Sequence, residues 1–163
     1  MEPLVNYLCR IQGRLFELSV DKGYDSEHFI KTYMNSNCGK RFNSSFDSLQ
    51  WLGERYILEE LSETEKLKHG KTYSKDIMFW IGYLYCYWHF KTNEEAKEIV
   101  KVAPPKTMFQ TYFGLHTVGL DYAIDDLKDL YEERENKGRK LKLDYLFEEN
   151  NISYNTEDDN NKK

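Results

Sequence analysis

Apolar residues recur at steps of three and four along most of this chain, which is the spacing of one face of an α-helix. The pattern predicts a first helix over Pro3–Asp21 and a second from Asp25 or Ser26 to about Asn35. A third starts at Ser44 or Ser45, has an apolar stripe that reaches Leu61, and ends before the polar connector LSETEKLKHGKTY. The stretch NSNCGKRFNSS between the second and third helices is polar and predicts a loop. No run of alternating apolar and polar residues is long enough to predict a strand.

The segment from Tyr73 to Phe90 departs from this amphipathic pattern because it is apolar nearly all round. Ser74 can cap its N-terminus. A helix of this kind must be covered on most sides, by the rest of the domain or by another molecule. The segment is short for a membrane span and carries Lys75 and Asp76 at one end, so it predicts a buried core helix and no membrane.

The remaining pattern predicts three further helices. Thr92 and Glu95 have the spacing of a capping box, and the short helix after them should stop at Ala103 because Pro104 cannot continue its hydrogen bonding. Pro105 can start the next helix, and a break at His116 to Gly119 precedes the last strong one. The pattern fades after Gly138, where four apolar residues could form a docking element: Leu141, Leu143, Leu146 and Phe147.

These elements together predict an all-α fold. Residues 1–147 should form a single compact domain of about six or seven helices. Residues 148–163 are polar, acidic and rich in asparagine, which is typical of a disordered tail.

Composition and charge favour a surface for binding another protein. The chain has 13 Tyr, 9 Phe and 3 Trp. Tyrosine is enriched at interfaces, although a single tyrosine more often covers the core with its hydroxyl in water. The formal net charge is −5, and the basic residues are mixed with acidic ones except in the short run Lys137–Lys142. We therefore expect no direct nucleic-acid binding and a basic protein as partner.

The residue types that carry chemistry are sparse. Three widely spaced cysteines, Cys9, Cys38 and Cys86, argue against a disulfide framework, and the N-terminus lacks the pattern of a signal peptide, so a cytoplasmic protein is expected. Cys86 and His89 have the spacing of half a zinc site but no matching second pair. We predict no metal, no cofactor and no catalytic residue.

Two polar patches interrupt the apolar pattern. Asp47, Gln50 and Glu54 lie at steps of three and four, so on a continuous helix they share one face beside Trp51. This could be a binding hot spot or simply the wet face of an amphipathic helix. His116 could hold a substrate or respond to pH, or it could cap the preceding helix. The predicted partner-binding residues are Asp47, Gln50, Trp51, Glu54, Tyr83, Tyr87, Trp88 and His116.

The stretch MFQTYFGLHTVGLDYAIDDLKDLYEER resembles a motif of small bacterial accessory proteins. In that motif a helix ends in Leu-His-Thr, and a glycine turn leads into an acidic helix with an aliphatic–Asp step. The matching positions here are Leu115, His116, Thr117, Gly119, Ile124 and Asp125. The motif covers about a sixth of the chain. The resemblance implies an antitoxin or accessory protein encoded beside a toxin related to ADP-ribosyltransferases.

Three functions remain open at this stage. The first is an antitoxin-like protein that binds and masks a partner, such as a toxin encoded nearby. The second is an inhibitor of a bacterial defence system, encoded by a mobile element. The third is a small enzyme that acts on a nucleotide or nucleic acid through Asp47, Glu54 and His116, which requires these three residues to meet in one pocket.

Overall fold

The computed structural model describes the backbone of residues 1–157 and the side chains of residues 1–149. Within this range the chain forms nine helices and no strand, which confirms the all-α prediction. The helices are α1 Pro3–Asp21, α2 Ser26–Asn35, α3 Asn37–Phe42, α4 Leu49–Leu52, α5 Glu54–Thr64, α6 Lys75–Thr92, α7 Ala96–Val102, α8 Pro105–Leu115 and α9 Leu120–Glu157. Two compact units divide at Asp125, and the first contains α1 to α8 with the start of α9.

The most extensive helix packing in the first unit is between α1 and α6. A Cβ added at Gly82 of α6 would lie 2.6 Å from the carbonyl oxygen of Gln12 and 2.8 Å from the Cγ of Phe16, both on α1. The Gln12 side chain, 2% exposed, donates from Nε2 to the Gly82 carbonyl at 2.8 Å. Its Oε1 accepts from the hydroxyl of Tyr33 on α2 at 3.1 Å. One buried amide therefore joins three helices.

Aromatic rings fill the space around this contact. Phe16 meets Phe29, Tyr33 and Tyr85 edge-on, with ring centroids 5.4, 5.5 and 6.3 Å away. Tyr85 is fully buried, and its hydroxyl donates to the carbonyl of Ala103. The segment predicted as a buried core helix is therefore the central element of the first unit. Neither α6 nor any other helix in the described part of the chain is long and apolar enough to cross a bilayer.

The predicted loop between α2 and α4 is wrong in its middle, because Asn37–Phe42 is helical. The side chain of Ser36 caps this helix by accepting from the Gly39 N–H at 3.1 Å. A Cβ on Gly39 would collide with the Tyr33 carbonyl, so glycine allows α3 to approach the end of α2. Six residues are too few to show a helical period, which is why the sequence pattern missed α3.

The predicted continuous third helix is also wrong, because it breaks at Gly53. This residue has φ 82°, a left-handed conformation that favours glycine, and it separates α4 from α5. Asp47 precedes α4 and Glu54 begins α5. The helical spacing that would place Asp47, Gln50 and Glu54 on one face therefore does not hold.

The later helix boundaries follow the prolines and glycines as predicted, with one exception. α7 ends at Val102, α8 starts at Pro105, and the break at His116 to Gly119 is present. The predicted capping box is wrong. Thr92 is the last residue of α6, where its Oγ1 donates to the Trp88 carbonyl at 2.9 Å.

α9 continues past Gly138, where the sequence pattern fades, and is helical through Glu157. The four apolar residues of the predicted docking element lie on this helix and are exposed: Leu141, Leu143, Leu146 and Phe147. The disordered tail was predicted for residues 148–163. Of these, the side chains from residue 150 onward and all of 158–163 lie outside the described residues.

Replacement of Gly82 by alanine tests the α1–α6 contact. The added methyl group meets backbone, which cannot move aside as a flexible side chain can. We expect Gly82→Ala to lower the free energy of unfolding by about 1–3 kcal/mol in urea denaturation. The matched control is Gly114→Ala in α8, where no neighbouring atom lies within 4 Å. The control should be neutral or stabilising by up to about 1 kcal/mol. Equal effects at the two glycines would contradict the close packing.

Candidate protein-binding surface

A chain of touching rings lies on the outer side of α6 and α8. The ring of Tyr112 meets Trp80 edge-on at 5.5 Å and Phe113 edge-on at 5.4 Å. It also stacks on His116 with a centroid distance of 4.4 Å and an interplanar angle of 16°. Phe113 is 77% exposed. We call these four residues together with Phe79 the α6–α8 aromatic surface.

α6 carries more aromatic rings than its buried faces accommodate, which explains why some of its rings reach the surface. The face that packs on α1 includes Gly82, the buried ring of Tyr85 beside Phe16, and one edge of Phe79, whose ring lies against Gly13 of α1. Trp80 points away from that face and is only partly covered. On α8 the buried residues are Pro105, Thr107 and Met108, and Phe113 lies outside. Both helices therefore direct rings outward because their inner faces are already occupied.

Two carboxylates stand beside these rings. A cavity of about 390 Å³ is lined by Glu17 and Asp76 together with Phe79, Trp80, Tyr112 and His116. Burial raises the pKa of Glu17, and the negative charges of Asp76 and Asp21 act in the same direction, against the opposing effect of Lys75. A carboxylate that is short of water next to aromatic faces is a suitable site for a lysine or arginine side chain. The cavity can therefore hold a cationic side chain of a partner.

Tyr83 and Tyr87, two of the predicted site residues, border this surface and are partly buried. The Tyr83 ring lies 5.9 Å from Phe79, and its hydroxyl donates to Asn6 Oδ1 at 2.9 Å. The Tyr87 hydroxyl donates to Asp121 Oδ1 at 2.8 Å. Burial, followed by this hydrogen bond to a carboxylate, raises the pKa of Tyr87 to about 12. The hydroxyls of both tyrosines are thus already bonded within the protein, and the Tyr83 ring extends the apolar area beside Phe79.

Two other predicted site residues are internal. Trp88 is fully buried and cannot contact a partner, which corrects its assignment to the binding surface. Gln50 is 4% exposed, and its Nε2 donates to the carbonyls of Phe42 and Ser44 at 2.7 and 2.9 Å. Gln50 therefore stabilises the turn before α4 and is not part of an exposed binding surface.

Asp47 belongs to a group of charged side chains that stabilises the same turn. We call this group, Arg41 with Asp47 and Glu60, the clamp. The Asp47 carboxylate accepts from Arg41 Nη2 at 3.1 Å and from the Leu49 N–H at 3.0 Å. Arg41 also reaches Glu60 on α5 at 2.7 Å. The hydrogen bond from the Leu49 N–H, and then that from Arg41, lower the pKa of Asp47. Glu54, predicted to lie beside Asp47, starts α5 on the other side of the Gly53 break.

Trp51 is exposed at 59% but lies in a different part of the chain from the α6–α8 aromatic surface. Its exposed apolar neighbours in sequence are Phe46, Leu52 and Tyr56. Phe46 is 88% exposed and has φ 60°, a conformation that is costly for a bulky residue. These four residues form a second set of exposed apolar side chains, which we call the α4 apolar set.

His116 lies on the aromatic surface and also ends α8. It is the C-cap residue, and its Nδ1 lies 2.7 Å from the Tyr112 carbonyl oxygen. The helix-capping interpretation of the sequence is thus consistent with the structure. The carboxylates in the cavity that His116 lines are Glu17 and Asp76, not Asp47 or Glu54. The pocket required for an enzyme based on Asp47, Glu54 and His116 is therefore not formed there.

The three cysteines are buried and free. Burial raises the pKa of Cys38 and of Cys86, so both remain protonated thiols at neutral pH. Both ring nitrogens of His89 contact backbone carbonyls. Among the described residues, no group of three or more His, Cys, Asp or Glu side chains is arranged to hold a metal ion.

The main residues that sequence analysis missed are Phe79, Trp80, Tyr112, Phe113, Glu17 and Asp76. The apolar pattern located Trp80 on the aromatic helix and Tyr112 on one stripe of α8. It did not indicate that these two rings meet, because that contact depends on how α6 and α8 pack. Glu17 lies on α1, far from both rings in the chain, and no local sequence pattern connects it with them.

Replacement of Asp47 by asparagine tests the clamp. A carboxyl group with a lowered pKa in the folded state stabilises the protein above its usual pKa of 3.8, and that contribution is lost as pH falls below it. We expect Asp47→Asn to cost about 1 kcal/mol of unfolding free energy at pH 7, and progressively less as pH falls from 3.8 through the lowered folded-state pKa. The exposed carboxylate of Asp125 serves as control in Asp125→Asn. A cost that does not change with pH would show that the charge of Asp47 is unimportant.

The α6–α8 aromatic surface and its two carboxylates are thus the strongest candidate site in the described part of the chain. Its rings touch one another, one of them is largely exposed, and the adjoining cavity is acidic. Comparison with protein-family models, curated proteins and solved structures found no match to this chain. The functional argument therefore rests on the chemistry of these residues.

Proposed function

We propose that this protein binds and masks another protein, as an antitoxin-like or accessory protein does, through the α6–α8 aromatic surface. The observation that carries the proposal is a continuous set of touching rings held at the surface beside Glu17 and Asp76. The resemblance of the α8–α9 segment to antitoxin-like accessory proteins points to the same class of function. The partner is expected to be bacterial and encoded nearby.

The packing of the rings supports binding with little entropic cost. Tyr112 is held between Trp80 and His116, so it loses little rotamer freedom when a partner covers it. Large, preorganised aromatic side chains at the centre of an interface commonly supply most of its binding free energy. Phe113 extends beyond this packed group and is suited to enter a pocket on the partner.

The negative charge of the site indicates the charge that is expected on the partner. Glu17 and Asp76 line the cavity next to the rings, and the whole chain carries a formal charge of −5. A partner with an exposed lysine or arginine would be attracted at long range and would place that cation between carboxylate and ring. We therefore propose a basic surface on the partner, which becomes inaccessible when the complex forms.

Truncation of Phe113 tests which surface binds. The product of the neighbouring gene is co-expressed with this chain and recovered by pull-down, and its affinity is then measured by calorimetry. We expect Phe113→Ala to weaken binding by about 30-fold, equivalent to about 2 kcal/mol. Phe46→Ala is the matched control, since Phe46 is equally exposed but belongs to the α4 apolar set. The proposal fails if the neighbouring product does not bind, or if only Phe46→Ala weakens the complex.

Replacement of Glu17 by glutamine separates binding from stability. A carboxyl whose pKa is raised in the folded state stabilises the protein at low pH, and this contribution is lost as pH rises through the folded-state value. At pH 7, Glu17→Gln should therefore leave the free energy of unfolding equal or higher.

The same change should slow association with the partner and flatten the salt dependence of the association rate. Glu63→Gln, on the exposed side of α5, is the control. Unchanged association kinetics in Glu17→Gln would argue against a role of this carboxylate.

A further inference from the structure

A second cavity, of about 460 Å³, lies where the end of α2, α3 and the α6–α7 junction meet. It shares no residue with the α6–α8 aromatic surface. Four asparagines contribute to its lining: Asn35, Asn37, Asn43 and Asn93. Amide side chains offer both donors and acceptors, and the serines Ser36 and Ser44 add hydroxyls beside them. The lining is thus suited to a ligand with many hydrogen-bonding groups.

One wall of this cavity is fixed by His89. Its Nδ1 lies 2.6 Å from the Glu94 carbonyl oxygen and its Nε2 lies 3.1 Å from the Asn43 carbonyl oxygen. A carbonyl oxygen only accepts, so the ring nitrogen that carries the proton donates the hydrogen bond that orients the imidazole, and the other nitrogen lies beside the second carbonyl. A ligand would therefore meet a preorganised wall, which lowers the entropic cost of binding.

Asn43 also provides a buried acceptor. Its side-chain oxygen is removed from solvent and has no hydrogen-bond partner among the described residues. A buried polar atom without a partner is energetically unfavourable. Because Asn43 lines the cavity, its side-chain amide lies beside the space that a ligand would occupy.

The charges in the cavity favour an anion. Lys40 and Lys97 line it, and Glu95 is the single acidic residue in its lining. Lys97 pairs with Glu95 at 3.3 Å, and both side chains are largely exposed, so the pair can rearrange when a ligand arrives. Lys40 has no ion pair within the described residues. The cavity therefore carries a net positive charge in a chain whose formal charge is −5.

We infer that this cavity binds a small hydroxylated anion of the sugar-phosphate class. Lys40 and Lys97 bind the phosphate group, and the asparagine amides with Ser36 and Ser44 bind the sugar hydroxyls. Met34 and Ala96 are the apolar side chains in the lining, which is too little for an apolar ligand. The role is independent of the aromatic surface, so this ligand site and the protein-binding proposal can fail separately.

Titration calorimetry of the full chain with ribose 5-phosphate tests this inference, with ribose and inorganic phosphate as separate arms. We expect saturable binding of ribose 5-phosphate with a Kd of about 1 mM or lower, and at least about tenfold weaker binding of each fragment. Lys40→Gln should weaken binding by about tenfold, because a charge-assisted contact to phosphate is lost. Lys66→Gln, an exposed lysine outside the cavity, is the matched control and should bind as the natural chain does. Lys40 is exposed, so its replacement leaves the fold intact.

Several outcomes would overturn the inference. One is the absence of saturable binding by ribose 5-phosphate up to about 10 mM. Another is equal affinity for inorganic phosphate, which would mean that the amides do not recognise the sugar. A third is an equal loss of affinity in Lys40→Gln and Lys66→Gln, which would indicate nonspecific attraction of the anion. Phe113→Ala should bind ribose 5-phosphate normally, which distinguishes this site from the aromatic surface.

Discussion

The contact between α1 and α6 at Gly82 determines how the rings of α6 are distributed. Because Gly82 has no side chain, the two helix backbones approach until Gln12 can bond the Gly82 carbonyl. The same amide accepts from Tyr33, so α2 is held in place by this contact too. Once α1 and α2 occupy one side of α6, the rings on the other side must be covered by α8 or remain exposed. The candidate binding surface is therefore a consequence of this helix contact.

Helix periodicity identified the elements whose signals are long and local. α1 and α2 have a clear apolar stripe, Ser74 and Pro105 mark helix starts, and Pro104 stops α7. The same reasoning failed for α3, which is too short to show a period. It also failed at Gly53, because a left-handed glycine inside an apolar stripe looks like an ordinary helix residue until its φ is known.

The site was harder to predict than the fold, for a physical reason. An apolar run like that of α6 has no polar face, so the sequence does not indicate that Trp88 points inward and Trp80 outward. Gln50 was misassigned because a polar side chain can be buried when backbone carbonyls satisfy it, as those of Phe42 and Ser44 do. Of the alternatives considered for His116, helix capping agrees with the structure, because α8 ends at this residue. Glu17 joins the site only through tertiary packing.

Local costs in stability provide a final argument for the two sites. The chain buries a carboxylate at Glu17 enough to raise its pKa, leaves Phe113 exposed, and removes an Asn43 oxygen from water without a partner among the described residues. Such departures from the most stable arrangement are expected where function requires them. Two of the three lie at the aromatic surface and one at the asparagine-lined cavity. Phe46, strained at φ 60° and almost fully exposed, is a comparable cost that neither site explains. The α4 apolar set is therefore the next region in which a functional contact should be sought.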